Sequence, residues 1–253
     1  MNTTTIENNN GKIWKFLGLM GIVILALAFV IGIWGFFGKT DTTSKTDVSG
    51  QVPKATQNNP VKKSSIIADK VPAALTDAGE FGENIYDAAK ANDWKAANAK
   101  LNELKAAAQK MTGDKIGSAE FDRAFGKLEK AVAAKDKNAS LVEANQLTLE
   151  AANLTAKYNP KVPVEVVKLD FYGRELEIWS QAKDEAKLRE TAKMIRQDWN
   201  AVKAKIEAKG GTKEAAAFEN LVVKTDSAKT PADYAKLATP ILDEVDNLEK
   251  VFA

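Results

Sequence analysis

Residues 188–206 read LRETAKMIRQDWNAVKAKI, and their apolar side chains recur at the spacing of one helix face. The steps between these residues alternate between four and three, and residues 94–111 show the same alternation. Such stripes are typical of the core-facing seams of bundle helices, so this part of the chain is predicted to be all-α. The seam residues are Leu188, Ala192, Ile195, Trp199, Val202 and Ile206 in the first stretch, and Trp94, Ala97, Leu101, Leu104, Ala108 and Met111 in the second.

Capping signals and helix breakers divide the region around these seams into eight predicted helices. Asp93 and Ser118 have side chains that accept hydrogen bonds from the free N–H groups of a first helical turn. Thr230 stands before a proline at the first helical position, which is a further start signal. The predicted helices span residues 69–90, 93–111, 118–134, 138–158, 163–183, 185–208, 213–228 and 231–252.

The eight predicted helices form two sets of four that resemble each other. The residues that match are Lys70-Val71-Pro72 with Lys161-Val162-Pro163, Phe81-Gly82 with Tyr172-Gly173, the set Trp94, Leu101 and Ala108 with Leu188, Ile195 and Val202, and Leu147 with Ile241. Their offsets indicate a tandem repeat of about 94 residues. We therefore predict two up-and-down four-helix bundles, over residues 67–159 and 160–253, with one continuous helical array as the alternative.

Residues 16–37, FLGLMGIVILALAFVIGIWGFF, contain no charged side chain. As a helix they would extend roughly 33 Å, enough to cross a hydrocarbon core of about 30 Å. A cleaved signal peptide is the competing interpretation, with Lys12 and Lys15 as its positive region. The run is too long for that, however, and it ends in bulky aromatic residues where a cleavage site needs small ones. We predict an uncleaved signal anchor.

The segments on either side of the span are polar. Residues 1–15 form a short polar tail, and residues 38–66 are rich in Thr, Ser, Asn, Gln and Lys, which predicts a flexible linker with a reach of about 30 Å. Lysines flank the span almost equally, so the short tail and the large C-terminal part decide the predicted orientation. The protein is predicted to lie in the cell (inner) membrane, single-pass, with its C-terminal bulk periplasmic or extracellular.

Small residues mark one face of the predicted membrane helix. They fall on one heptad stripe that only Leu25 interrupts: Gly18, Gly21, Ala28, Gly32 and Gly35. Small side chains let two membrane helices approach closely, and close packing drives their association in lipid. The stripe predicts a membrane partner, either a second copy or another integral membrane protein. Chance is the alternative, because glycine is common in membrane helices.

Composition excludes several classes of function. The chain has neither cysteine nor histidine, so disulfides, thiolate nucleophiles, Ser-His-Asp triads and the usual zinc and di-iron sites are excluded. The formal net charge is +2, which gives no field that would attract nucleic acid. We therefore predict a protein that is not an enzyme, with no cofactor, no metal and no nucleic-acid partner.

The predicted helix at 163–183 is apolar on two sides, which indicates burial on two sides. One interpretation places it between the two bundles. The other is a ligand or docking surface formed by Phe171, Tyr172, Glu175 and Trp179. Within that surface, Glu175 either binds a cation or ligand amine or pairs with a nearby Lys or Arg.

These features favour a non-catalytic accessory or scaffold subunit. Its glycine-faced membrane helix and its exported bundles would dock on a membrane protein complex. The alternative is an exported helical-bundle protein that binds a small ligand or a cation.

Overall fold

The computed structural model describes residues 70–253, and within that range the protein consists of eight α-helices and no β-strand. The all-α prediction is confirmed there. The predicted tail, membrane span and linker lie outside the described residues. No helix from residue 70 onward is long and apolar enough to cross a membrane. The helices are α1 (Ala73–Lys90), α2 (Trp94–Gly113), α3 (Ala119–Ala133), α4 (Lys137–Thr155), α5 (Val164–Ala182), α6 (Glu185–Ala208), α7 (Thr212–Ser227) and α8 (Pro231–Lys250).

The helices begin where capping side chains satisfy free backbone N–H groups. Asp93 accepts from the N–H of Ala96, and Ser118 accepts from the N–H of Phe121. Thr230 and Asp233 cap each other's backbone N–H groups at the start of α8, with Pro231 in the first helical position. These three starts are the ones that the sequence predicts, because the same few side chains suit this role in any helix.

Each half of the described chain packs around its own first and last helices. In the first half α1 contacts α2 and α4, and α3 contacts α4. In the second half α5 contacts α6 and α8, and α7 contacts the same two helices. Helix α4 also contacts α5, which joins the halves.

Two buried apolar clusters lie inside this arrangement. One cluster is formed by α1–α4 and includes Leu104 and Phe121, while the other is formed by α5–α8 and includes Trp199 and Phe218. All six seam residues of α6 are buried, as predicted. Side chains cross between the halves: Ile178 of α5 is buried in the cluster of α1–α4, Trp179 packs against both clusters, and Leu149 of α4 packs against the second.

Glycines set the closest approach between the first and last helix of each half. A Cβ atom at Gly82 would lie 2.9 Å from Cγ2 of Thr148 and 3.1 Å from Cδ2 of Leu147. A Cβ atom at Gly173 would lie 2.6 Å from Cδ2 of Leu242. The absence of a side chain at these two positions therefore lets α1 pack against α4, and α5 against α8, at close range.

Candidate functional site

Helix α5 carries the predicted site residues and lies between the two halves. It contacts α4 on one side and α6 and α8 on the other. Its side chains accordingly divide between two clusters, with Ile178 in the first and Phe171, Tyr172 and Leu176 in the second. The burial on two sides that the sequence predicts for this helix is observed.

Phe171 and Tyr172 are buried and already engaged inside the protein. Their rings lie edge to face, with centroids 5.3 Å apart. The backbone carbonyl of Phe171 accepts a hydrogen bond of 3.0 Å from Nδ2 of Asn145 on α4. The hydroxyl of Tyr172 donates to Asp198 on α6 at 3.3 Å, and burial raises the pKa of Tyr172. Both residues therefore fix α5 between its neighbours.

Glu175 and Trp179 form a hydrogen-bonded pair between α5 and α6. The indole Nε1 of Trp179 donates to Glu175 at 3.0 Å, and the hydroxyl of Thr191 donates to the second carboxylate oxygen at 2.9 Å. Burial raises the pKa of Glu175, and these two hydrogen bonds oppose that effect. The partners are neutral, so Glu175 differs from the predicted pair with a Lys or Arg. Lys187 instead lies over the Trp179 ring, 4.4 Å from its centroid.

Trp179 also borders a groove between α4 and α5. The groove has a volume of about 370 Å³. It is lined by Asn138, Leu141, Val142, Ile178, Trp179, Gln181 and Ala182. Of the four predicted surface residues, only Trp179 lies there: Phe171 and Tyr172 are buried in the second cluster, and Glu175 accepts its hydrogen bonds between α5 and α6. The ligand-binding alternative therefore stays a prediction that is carried by one residue.

A buried charged junction, centred on Arg174, ties α5 to α1. Arg174 is only 9% exposed, and its guanidinium lies 2.5 Å from Asp170 and 3.4 Å from Glu83 of α1. It also faces the ring of Tyr86, 5.5 Å from the centroid. Among residues 70–253 no group of three carboxylates has the arrangement of a metal site. The junction therefore links α5 to α1.

Glu177 makes a second tie between the same two helices. Its carboxylate accepts from the hydroxyl of Tyr86 at 3.2 Å and from Nζ of Lys90 at 2.7 Å. Neither this tie nor the contact of Arg174 with Glu83 is predicted from the sequence, because the partners are 87 to 91 residues apart. The one available signal is an arginine that interrupts the apolar positions of the 163–183 helix.

A third cluster of charges joins α6 to α7. Glu219 accepts hydrogen bonds from Arg196, from Lys203 and from the indole N–H of the fully buried Trp199. These bonds lower the pKa of Glu219 to about 2. Arg196 also donates to Asp226 at 2.6 and 2.9 Å, so its charge is paired within the cluster, as in a structural network.

A larger groove lies between the end of α5 and the start of α8. Its volume is about 580 Å³, and its walls are mainly apolar. The residues around it are Glu177, Ser180, Gln181, Lys183, Thr230, Pro231, Ala232, Ala235, Ala238 and Thr239. We call this the α5/α8 groove. The sequence does not single it out, because its floor is made of alanines, which occur throughout the chain.

The part of the chain that the structure describes defines an all-α protein of eight helices. No family model, curated protein or solved structure matches the chain significantly. The small-residue stripe of the predicted membrane helix, Gly18, Gly21, Ala28, Gly32 and Gly35, lies outside the described residues.

Proposed function

We propose that the protein is a non-catalytic scaffold or accessory subunit, anchored in the membrane by residues 16–37. The observation that carries this proposal is the uncharged run of 22 residues with small side chains along one face. A helix with such a face packs closely against a partner helix in lipid. The C-terminal helices would then hold a docking surface at a set position outside the membrane.

We further propose that α1–α4 and α5–α8 are two copies of one four-helix unit. Gly82 and Gly173 support this, because each allows the close approach between the first and last helix of its half. The turns after α1 and α5 agree as well: Asn92 and Lys183 both have left-handed backbones, with φ of 57° and 56°. The next residue in each case is an aspartate that caps the following helix.

The ties between the halves support a scaffold function. Ile178 of α5 is buried in the first cluster, and the carboxylate of Glu177 accepts hydrogen bonds from two side chains of α1. Arg174 adds a charged contact with Glu83 of α1 across the same boundary. A rigid body loses less conformational entropy on binding than a flexible one. This property suits a protein that bridges its partners or holds them at a set distance.

The membrane-helix packing can be tested with a triple substitution, Gly21→Leu, Ala28→Leu and Gly32→Leu, in the full chain. Leucine keeps the segment apolar enough to insert but separates the two helix backbones. We expect the variant to reach the membrane and to lose its partner in mild detergent, as measured by quantitative co-purification.

The matched control is Val23→Leu, Ala26→Leu and Val30→Leu, which adds leucines on the opposite face of the same segment. This control should keep the partner. Equal co-purification of both triple variants would contradict the proposal. Failure of the full chain to sediment with membranes would contradict the anchor itself.

A further inference from the structure

The end of α5 lies over the end of α1 and the start of α4. Glu177 binds Tyr86 and Lys90 near the end of α1. The next residue, Ile178, is buried in the cluster of α1–α4. Leu141, in the first turns of α4, is buried in the same cluster and borders the same groove as Ile178. The first half of the protein thus has a docking surface for a helix, and α5 occupies it.

The second half forms the equivalent surface from α5 and α8. The left-handed turn residues Asn92 and Lys183 follow α1 and α5, and they can be aligned with each other. Counting back from them pairs Tyr86 with Glu177 and Lys90 with Gln181. The N-caps Asp136 and Thr230 align Leu141 with Ala235. Glu177, Gln181 and Ala235 all line the α5/α8 groove. The groove is therefore the second copy of the surface that α5 covers in the first half.

Two features suit this groove to an incoming helix. Ala232, Ala235 and Ala238 give it a floor of small side chains, so a helix can approach closely, as ridges fit into grooves. Ser180 also lines the groove, and its buried hydroxyl has no hydrogen-bond partner among residues 70–253. Because a buried hydroxyl without a partner is unfavourable, a docked helix that reached this oxygen with a backbone or side-chain donor would gain a hydrogen bond.

We propose that the α5/α8 groove binds an amphipathic helix of a protein partner, which inserts an aliphatic side chain as α5 inserts Ile178. A second copy of this chain would insert its α1, which is the counterpart of α5. It fits less well, because the residue of α1 equivalent to Ile178 is Asp87. Burying that carboxylate in an apolar groove is unfavourable. The inference rests on the proposed docking function and names the surface that performs it.

The test places the photo-crosslinking residue benzoylphenylalanine at Ala235 of the full chain, in intact cells. Ala216 of α7 is the control position, since both alanines are exposed and lie on helices of the same half. We expect Ala235 to crosslink to a partner peptide with helical spacing and an aliphatic residue at the crosslink, as mapped by mass spectrometry. The same partner should co-purify with the unmodified chain.

Two substitutions then measure the contribution of the groove. Ala235→Arg puts a long charged side chain on the small-residue floor of the groove and should lower recovery of the crosslinked partner by at least about tenfold. Ala216→Arg should leave recovery unchanged. Arginine is nearly as good a helix former as alanine, so both variants should keep the helical circular dichroism of the parent.

Three results would overturn the inference: crosslinks to a second copy of the chain, crosslinks to its own residues 1–69, or equal recovery with the two arginine variants. The anchor triple variant separates this failure from that of the proposed function. If the anchor variant loses the partner and Ala235→Arg keeps it, the groove inference alone is wrong. If both variants keep the partner, both proposals are wrong.

Discussion

At the scale of single residues, Asp170 has the most unusual environment in the described chain. It lies beside Arg174, which also pairs with Glu83, and the carboxylates of Asp246 and Glu249 on α8 are near enough to act on it as like charges. Burial raises the pKa of Asp170 to about 7, against the opposing effect of Arg174, and the neighbouring carboxylates raise it further. Burial also raises the pKa of Glu249. The junction therefore contains more negative charge than its one cation balances.

A pH dependence follows from the Asp170 environment. Its pKa is raised on folding, so its contribution to stability is complete below the ordinary value of 3.8 and is lost as pH rises through about 7. We expect the free energy of unfolding to rise by about 1 kcal/mol between pH 8 and pH 6. Asp170→Asn should flatten this slope in denaturant titrations. Glu207→Gln, at an exposed position, should leave it intact, and an unchanged slope in Asp170→Asn would contradict the assignment.

At the scale of helices, the apolar period and the caps predict the elements closely. The predicted range 185–208 is the observed α6, and the other predicted boundaries differ from the observed ones by at most four residues. The match between α2 and α6 is less accurate. Matching apolar patterns pairs Leu101 with Ile195, whereas counting from the caps Asp93 and Asp184 pairs Leu104 with Ile195. Because apolar residues recur every three or four positions, two helices can be aligned one turn out of register and their apolar residues still match.

The glycine crossings lead to a prediction for helix packing. Gly82→Ala places a Cβ against Thr148, whose side chain is held by a hydrogen bond to the carbonyl of Asn145. We expect a loss of about 1–3 kcal/mol in unfolding free energy, measured with urea. Gly173→Ala should cost less, because the half-buried Leu242 can move aside.

Gly126→Ala is the matched control for these substitutions. A Cβ atom added at this position on α3 would have no neighbour within 4 Å, so the change should stabilise the helix by about 0.5–1 kcal/mol. A stabilising effect of Gly82→Ala would contradict the close approach of α1 and α4.

At the scale of the whole molecule, cooperation between the halves depends on few residues. Ile178→Ala removes the aliphatic side chain that α5 places in the α1–α4 cluster. We expect a loss of about 2–5 kcal/mol and a calorimetric transition that broadens or splits, because the halves become less coupled. Val223→Ala, at a side chain that is 51% exposed, should change stability by less than about 0.5 kcal/mol. A single sharp transition in Ile178→Ala would show that other contacts couple the halves.

The sequence by itself determined the helices of the described region, their ends to within four residues and the buried face of α6, because these depend on local spacing and on capping side chains. In α2 only Ala97, Leu104 and Met111 of the predicted seam are buried. It also carries the prediction of a membrane anchor at residues 16–37. Only the tertiary structure decided which charges meet. Arg174, Glu177 and their partners on α1 are distant in sequence, and a charged residue gives no periodic signal of its partner. The α5/α8 groove likewise forms only where α5 and α8, the first and last helices of the second half, pack together. No local pattern of residues predicts it.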